Sequence, residues 1–205
     1  MTEKEKMLAG KIYDPFTKEL LELRTRAHKL CKLYNDTAED ETQKRTDILN
    51  VLLPDRGEGT YIQGPVYFDY GVFIKTGKNF YANFNFTVLD TCPVIIGDNV
   101  FIGPNASLLT PKHPLMWSER NAYVREDGGV TDKEYGAPIT IGDNCWLAGN
   151  VTVLAGAKIG NGCVIGAGSV VAGTIPDNSL AYGNPCRVVR KITEEDSIYL
   201  KKNLF

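Results

Sequence analysis

Two histidines are the side chains in this 205-residue sequence best suited to take a proton from a hydroxyl near neutral pH. His28 lies among three basic residues on a predicted amphipathic helix, where a solvated or packing role is expected. His113, in the segment TPKHP, instead begins a stretch in which a regular repeat is interrupted. Long excursions from a rigid scaffold commonly carry function, so His113 is the candidate general base.

Other catalytic and metal-binding patterns are missing from the sequence. It contains no GxSxG, no HExxH, no GxxxxGK[ST] and no dinucleotide fingerprint after a strand. Two histidines cannot supply three imidazole ligands to a catalytic zinc unless a carboxylate or a neighbouring subunit contributes. A metal hydrolase is therefore disfavoured, and we expect no metal site.

A strict six-residue period dominates the second half of the chain. Five blocks over residues 141–170 read IGDNCW, LAGNVT, VLAGAK, IGNGCV and IGAGSV, and the same register appears from Thr76 and from Ile96. This period predicts a hexapeptide β-solenoid, in which stacked aliphatic residues form the core and Gly or Asn allow the turns. A sandwich of scattered strands would need period-2 alternation and irregular spacing instead.

The remaining segments divide the chain around this solenoid. Residues 1–57 are predicted as a helical cap over its open end, with helices at about 17–34 and 40–53. The solenoid domain is predicted over 58–190. Its rhythm stops over about 110–138, the excursion that begins near His113. The tail 191–205 is a candidate last helix.

Composition excludes several classes of partner. The net charge is -2, so no general attraction to nucleic acid or anionic membrane is expected. No run approaches the roughly 18 apolar residues of a membrane span, and the N-terminus lacks the apolar stretch of a signal peptide, which predicts a cytoplasmic protein. Five cysteines without a CxxC pair are expected to be small buried residues.

Several segments together resemble the maltose and galactoside O-acetyltransferases. They are the hexapeptide tract, FYANFNF, LLTPKHP, the AGKIY opening, the helical region ending in LYND, and LAYGNPCRVVRKI near the end. The resemblance covers nearly the whole chain. It implies a left-handed parallel β-helix, acetyl-CoA as co-substrate, a sugar or similar small hydroxyl acceptor, and a homotrimer with active sites shared between subunits.

The resemblance also implies roles for individual residues. His113 matches the general base that deprotonates the acceptor hydroxyl, and Glu134 matches a glutamate that orients His113 or stabilises its imidazolium. Asn83 matches an asparagine lining the acceptor site. Tyr81, Asp90 and Thr91 are the further acceptor-site candidates.

The coenzyme is expected along the outer groove of the later coils. The matching positions are Trp146, Ala148, Gly149, Ala167, Gly168, Ala172, Arg187 and Arg190. At Gly149 the backbone N–H is expected to meet the developing oxyanion, and the arginines are expected to meet phosphates. The alternatives are that the small residues serve only the coil corners and that the arginines form an exposed basic edge.

Two departures from the family pattern bear on affinity and acceptor. Ala172 and Gly173 stand where related enzymes often carry a Thr-Lys pair, which removes a positive charge from the coenzyme path. Thr91 stands where galactoside-type members carry a second acidic residue, which favours the maltose-type pattern. Two alternatives remain open: acetylation of an antibiotic or amino-acid hydroxyl, and a non-catalytic solenoid scaffold.

Overall fold

Three helices precede the solenoid in the computed structural model, which describes residues 1–204. Helix α1 spans Glu3–Leu8, α2 spans Lys18–Asn35 and α3 spans Thr42–Leu52. The buried residues of α2 are Leu20, Ala27, Cys31 and Tyr34. Their spacing of three, four and seven places them on one face of the helix, as the apolar stripe predicts.

Side chains from α2 and α3 close the open end of the solenoid. Asn35 both donates to the carbonyl of Val66 at 2.9 Å and accepts from its N–H at 2.7 Å. The buried Arg45 donates to the carbonyls of Ile62 and Gln63 at 2.6 and 2.9 Å. These bonds satisfy backbone groups of the first coil that no further coil can reach.

Twenty-one short strands follow. In chain order they are β1 Tyr61–Ile62, β2 Val66–Phe68, β3 Ile74–Thr76, β4 Tyr81–Ala82, β5 Phe86–Leu89, β6 Val94–Ile96, β7 Phe101–Ile102, β8 Ser107–Leu109, β9 Pro111–Lys112, β10 Tyr123–Val124, β11 Val130–Thr131, β12 Tyr135–Gly136, β13 Ile139–Ile141, β14 Trp146–Leu147, β15 Thr152–Leu154, β16 Lys158–Ile159, β17 Val164–Ile165, β18 Val170–Val171, β19 Thr174–Ile175, β20 Ser179–Tyr182 and β21 Arg187–Lys191.

Three sheets of parallel strands form the walls of the solenoid. Sheet 1 contains β1, β4, β7, β14, β17 and β20, sheet 2 contains β2, β5, β8, β15 and β18, and sheet 3 contains β3, β6, β13, β16 and β19. The chain passes through sheets 1, 2 and 3 in turn and then returns to sheet 1, so each coil packs on the previous one. The β-solenoid with an N-terminal helical region predicted from the repeats is confirmed.

The inward side chains explain the six-residue period. Val88, Leu108 and Val153 stack in register along sheet 2 with no exposed surface. Asn85, Asn105 and Asn150 adopt positive φ at the corner between sheets 1 and 2, a conformation that asparagine tolerates better than most residues. Asn85 also donates its side-chain amide to Asn105 at 2.9 Å. Core and turn residues therefore repeat together.

The excursion leaves from the corner between sheets 2 and 3. Strands β9 and β12 pair antiparallel at its base, and β10 and β11 form a hairpin farther out. A short helix, α4, spans Trp117–Arg120. Beyond the last coil, β21 turns back antiparallel to β20. The tail then forms 3-10 turns at Glu194–Asp196, Ile198–Leu200 and Lys202–Leu204 instead of one α-helix, and Phe205 lies outside the described residues.

The five cysteines are all free and buried, as expected from the sequence. Within residues 1–204, no group of three or more His, Cys, Asp or Glu side chains could hold a metal ion. The helices of this same part of the chain are too short or too polar for any of them to cross a membrane.

Candidate active site

His113 lies at the base of the excursion, just after β9. Lys112 pairs with Tyr135 of β12, which fixes the direction in which the chain leaves the solenoid. The His113 side chain is exposed, and its Nδ1 lies 3.4 Å from the carbonyl oxygen of Lys133. In the tautomer that donates Nδ1–H to this carbonyl, Nε2 carries a lone pair that can accept a proton.

Glu134 supplies a partly buried carboxylate beside this histidine. Burial raises the pKa of Glu134, while the neighbouring Tyr13 hydroxyl and the charge of His113 oppose that rise. The charge of His113 therefore acts on the Glu134 carboxylate, whereas the group that contacts the imidazole is the carbonyl of Lys133. The orienting role expected of Glu134 stays a prediction.

Residues 9–17, which join α1 to α2, form an N-terminal arm that clamps the excursion. Tyr13 donates its N–H to the carbonyl of Glu134 at 3.0 Å and accepts from the Glu134 N–H at 3.5 Å. The Asp14 carboxylate accepts bonds from Arg125 Nη1 and Thr131 Oγ1, each at 2.5 Å. The arm thereby fixes the part of the excursion that carries Glu134.

Sequence reasoning missed this arm. AGKIY contributed to the family resemblance, but no role was assigned to Tyr13 or Asp14. Their partners lie far away in the sequence, at Arg125, Thr131 and Glu134, and no periodic pattern connects the two segments. The available signal in the sequence was an acidic residue directly after a tyrosine, and this pattern does not identify a partner.

Two further expected acceptor residues lie away from His113. Tyr81 lies on strand β4 of sheet 1, and Asn83 lies at the corner that follows this strand. The Asn83 side chain is partly exposed and accepts the N–H of Phe84 at 2.7 Å. Tyr81 donates its hydroxyl to Gln63 at 3.0 Å. Because His113 follows sheet 2, one chain presents Asn83 and His113 at two different corners of the solenoid.

Asp90 and Thr91 are buried in the wall at the corner between sheets 2 and 3. The Asp90 carboxylate has no exposed surface and accepts the N–H groups of Tyr70 at 2.9 Å and Phe73 at 3.3 Å. The Thr91 hydroxyl lies 3.0 Å from that of Thr110. These contacts join successive coils, and the acceptor contact expected of both residues stays a prediction.

Most of the expected coenzyme residues gather on sheet 1 and at the corner after it. The Trp146 ring is 52% exposed on the outer face, and Ala148 and Gly149 follow it directly. One coil later, Ala167 and Gly168 are exposed, and the Gly168 N–H donates to the Gly149 carbonyl at 3.0 Å. Among residues 1–204, the Gly149 N–H donates to no acceptor. It is therefore free to donate to an oxyanion.

A cavity of about 600 Å³ lies near the C-terminal end of the solenoid. Its lining includes Ala172, Gly173, Thr174, Pro185, Arg187 and Val188. A Cβ added at Gly173 would meet nothing within 4 Å, so the departure from the Thr-Lys pattern leaves open space here. Arg187 is the charged residue of this lining.

Arg190 is held by another part of the chain. Its guanidinium donates two bonds to Asp196, at 2.7 and 2.6 Å, and these bonds lower the pKa of Asp196 to about 2. The pair neutralises the charge that was expected to meet a phosphate. Of the two expected arginines, Arg187 therefore fits that role better.

Comparison with known proteins defines the class first. Residues 6–57 match the family model described as the maltose acetyltransferase hexapeptide capping motif, and residues 138–173 match that of the bacterial transferase hexapeptide. Residues 93–109 match the hexapeptide repeat of succinyl-transferase. The helices over one end and the repeated coils thus define a hexapeptide-repeat transferase.

Full-length relatives narrow the class. Galactoside O-acetyltransferase of Escherichia coli (strain K12) is 40% identical over 97% of this chain and 94% of its own length. A maltose O-acetyltransferase structure from Clostridium difficile 630 superposes with a TM-score of 0.86 at 45% identity, covering 95% of this chain and 99% of that one. A galactoside acetyltransferase in complex with coenzyme A gives 0.86 at 39% identity, covering 96% and 94%.

The chain belongs to the maltose and galactoside O-acetyltransferase family. The enzyme class expected from the sequence, an acetyl-CoA-dependent O-acetyltransferase, is confirmed.

Proposed function

We propose that this enzyme acetylates a hydroxyl of a sugar acceptor, with His113 as general base and acetyl-CoA as donor. The observation that carries the proposal is the exposed His113 imidazole, held through Nδ1 at the base of the excursion. The acceptor hydroxyl would give its proton to Nε2 while its oxygen attacks the thioester carbonyl. The coenzyme thiolate would then leave and take up the proton from the His113 imidazolium, so atoms and charge balance and the base is restored.

Two further groups would act on the charges that develop. The unengaged N–H of Gly149 supports its role as a donor to the oxyanion of the tetrahedral intermediate. The Glu134 carboxylate would stabilise the imidazolium formed on His113. Because burial raises the pKa of Glu134, this stabilisation would weaken at low pH.

The positions of Asn83 and His113 favour a site shared between two copies of the chain. One copy would supply Asn83, Tyr81 and the coenzyme groove, and a neighbouring copy would supply His113 and Glu134. Such a head-to-tail contact closes into a ring, and the family resemblance predicts three copies. Light scattering at assay concentration tests this: a monomeric mass would contradict it.

The acceptor is proposed to be of the maltose or glucose type rather than a galactoside. Thr91 replaces the second acidic residue of galactoside-type members, and the relatives described above include enzymes named for each sugar. Acetylation of an antibiotic or amino-acid hydroxyl is the second candidate activity. The cytoplasmic location stays a prediction.

The test measures thiol release from acetyl-CoA with a panel of mono- and disaccharides, an aminoglycoside and serine. For the preferred acceptor, His113→Ala should lower turnover by about 10²–10⁴-fold while leaving coenzyme A binding nearly unchanged. Lys29→Ala, on the exposed surface of α2, is the control. Equal small effects of both variants would sink the mechanism. Coenzyme binding without release for any acceptor would favour a non-catalytic role.

A further inference from the structure

Gln63 connects the helical cap to Tyr81 of sheet 1 through two side-chain hydrogen bonds. Its Nε2 donates to Oε1 of Glu39 at 2.8 Å, and its Oε1 accepts the Tyr81 hydroxyl at 3.0 Å. Glu39 lies in the loop between α2 and α3, and Gln63 directly follows β1. Neither Gln63 nor Glu39 has a role in the reaction proposed above.

The backbone of Gln63 is held by two neighbouring elements. Its N–H donates to the Ala82 carbonyl at 2.8 Å, and its carbonyl accepts from the buried Arg45 at 2.9 Å. Arg45 belongs to α3 and Ala82 to β4, so the cap and the second coil together fix this point of the chain. The side chain of Gln63 therefore reaches Tyr81 from a rigid support.

The Tyr81 ring is held by aromatic neighbours along the outer face of sheet 1. It stacks on Tyr61 of the previous coil, with ring centroids 6.0 Å apart and planes 9° apart, and lies 5.9 Å from the Phe101 ring of the next coil. Phe101 is in register with Trp146, which is expected to flank the coenzyme. Packing thus sets the position of the ring, and the hydrogen bond to Gln63 sets the direction of its O–H bond.

The chemistry of the three groups fixes which one donates in each bond. An ionised carboxylate only accepts, so the NH₂ of the Gln63 amide faces Glu39 and its oxygen faces Tyr81. An amide oxygen also only accepts, so Tyr81 is the donor. The single phenol proton is thereby engaged. Because Tyr81 is partly exposed, its oxygen remains available to accept a hydrogen bond from a ligand.

We propose that Gln63 is a positioning residue for acceptor specificity, which holds the Tyr81 hydroxyl so that Tyr81 accepts a hydrogen bond from a hydroxyl of the acceptor. The inference rests on the proposed function, in which Tyr81 lines the acceptor site. A hydroxyl has one proton, and the hydroxyl that is acetylated gives its proton to His113. The hydroxyl that meets Tyr81 is therefore a second one, and it is recognised as a donor.

A double-mutant cycle tests whether Gln63 acts through the Tyr81 hydroxyl. Wild type, Gln63→Met, Tyr81→Phe and the double variant are compared in KM and kcat for glucose or maltose, whichever wild type acetylates faster, and in Kd for coenzyme A. Gln63→Met keeps the length of the side chain and removes both bonds. It should raise KM about fivefold and change kcat and coenzyme affinity by less than about twofold. In the Tyr81→Phe background it should have no further effect.

Two further variants separate positioning from a structural role. Gln63→Glu keeps an oxygen that accepts from Tyr81, so its KM should stay within about twofold of wild type although the new carboxylate repels Glu39. Gln43→Met removes a similar exposed bond, from Gln43 to Asp47 on α3, and is the matched control. Equal effects of Gln63→Met and Gln63→Glu on KM, or an effect of Gln63→Met that persists without the Tyr81 hydroxyl, would overturn the inference.

Modified sugars test the direction of the hydrogen bond at Tyr81. Each monodeoxyfluoro derivative of glucose replaces one hydroxyl by a fluorine, which is similar in size and has no proton to donate. At one position other than the acetylated one, the substitution should weaken binding to wild type about fivefold and have little effect on binding to Tyr81→Phe. If no position depends on Tyr81, the hydroxyl of Tyr81 does not accept from the sugar.

Binding measurements distinguish this inference from the proposed function. Glucose and maltose are titrated calorimetrically into the full-length enzyme saturated with coenzyme A. Acetyl transfer that does not change in Gln63→Met would contradict the inference and leave the proposed function intact. Sugar binding that weakens in Gln63→Met but not in Gln63→Glu, without acetyl transfer, would support the inference and contradict the proposed function. Neither binding nor transfer with either sugar would overturn the inference.

Discussion

Tyr13 and Glu134 face each other across an antiparallel bridge that joins the N-terminal arm to the excursion. Residues opposite each other in such a pair have their side chains on the same side of the backbone. Tyr13 is 3% exposed, and its hydroxyl forms no hydrogen bond of normal geometry with any other group among residues 1–204. It nevertheless lies close enough to the Glu134 carboxylate to lower the pKa that burial has raised.

Tyr13→Phe should therefore shift the pH dependence of turnover. Loss of the hydroxyl raises the pKa of Glu134 further, so the carboxylate is protonated at a higher pH. If the charged form of Glu134 supports catalysis as proposed, turnover should then begin to fall at higher pH as the solution is acidified. At neutral pH we expect a loss of roughly tenfold or less.

The matched control is Tyr70→Phe, because the Tyr70 hydroxyl is also buried without a hydrogen-bond partner in the described chain. Both substitutions keep the aromatic ring and hence the packing. The pH–rate profiles of the two variants show whether the Tyr13 hydroxyl acts on the pKa of Glu134. Identical profiles for Tyr13→Phe and wild type would show that the hydroxyl does not act on Glu134.

The solenoid could be predicted because its information is local. Every hexapeptide carries its own core residue and its own turn residues, as the stack of Val88, Leu108 and Val153 illustrates. The same rule located the break that contains His113. The contacts of Tyr13 and Asp14 could not be predicted, because they join segments whose meeting depends on how helices and coils pack in three dimensions.

A single charged residue in the sequence does not reveal its partner. The resemblance implies an acceptor contact for Asp90, and the structure shows its carboxylate accepting two backbone N–H groups inside the wall. The resemblance implies a phosphate contact for Arg190, and the structure shows its guanidinium donating two bonds to Asp196. In both cases the sequence shows the charge and not the partner, and the nearest partner determines what the charge can do.

Arg187 and Arg190 should consequently differ in their effect on coenzyme A binding. Arg187→Ala removes the charge from the lining of the 600 Å³ cavity and should raise the Kd for coenzyme A by roughly tenfold. Arg190→Ala should have a smaller effect, since its charge is already paired with Asp196. Calorimetry at low and high salt measures both. A larger effect of Arg190→Ala would contradict this assignment of the phosphate contact.

Gly173→Lys tests whether the missing positive charge weakens coenzyme A binding. The position is open, because a Cβ there would meet no atom within 4 Å, and the new ammonium would share a cavity with Arg187. We expect a lower Kd for coenzyme A and a steeper dependence on salt. Gly173→Gln, similar in length but neutral, controls for bulk. If the two variants bind coenzyme A equally, charge at this position is irrelevant.

Asp90 should make the stability of the fold depend on pH. Burial raises its pKa to about 7 despite hydrogen bonds from the N–H groups of Tyr70 and Phe73, whereas an unfolded chain has an aspartate pKa of about 3.9. Between these values the folded state holds a proton that the unfolded state has released. The free energy of unfolding contributed by Asp90 is thus complete below about pH 4 and declines as the pH rises towards 7.

Asp90→Asn removes this titration while keeping a similar neutral shape. Relative to wild type, the variant should gain in Tm as the pH is raised from 5 to 8, because wild type alone must then take up a proton upon folding or carry a buried charge in that site. Thermal unfolding followed by circular dichroism at several pH values measures the difference. Asp98→Asn, at an exposed corner of the solenoid, is the control for removing a carboxylate elsewhere. A difference for Asp90→Asn that stays constant with pH would mean that this carboxylate does not titrate in the wall.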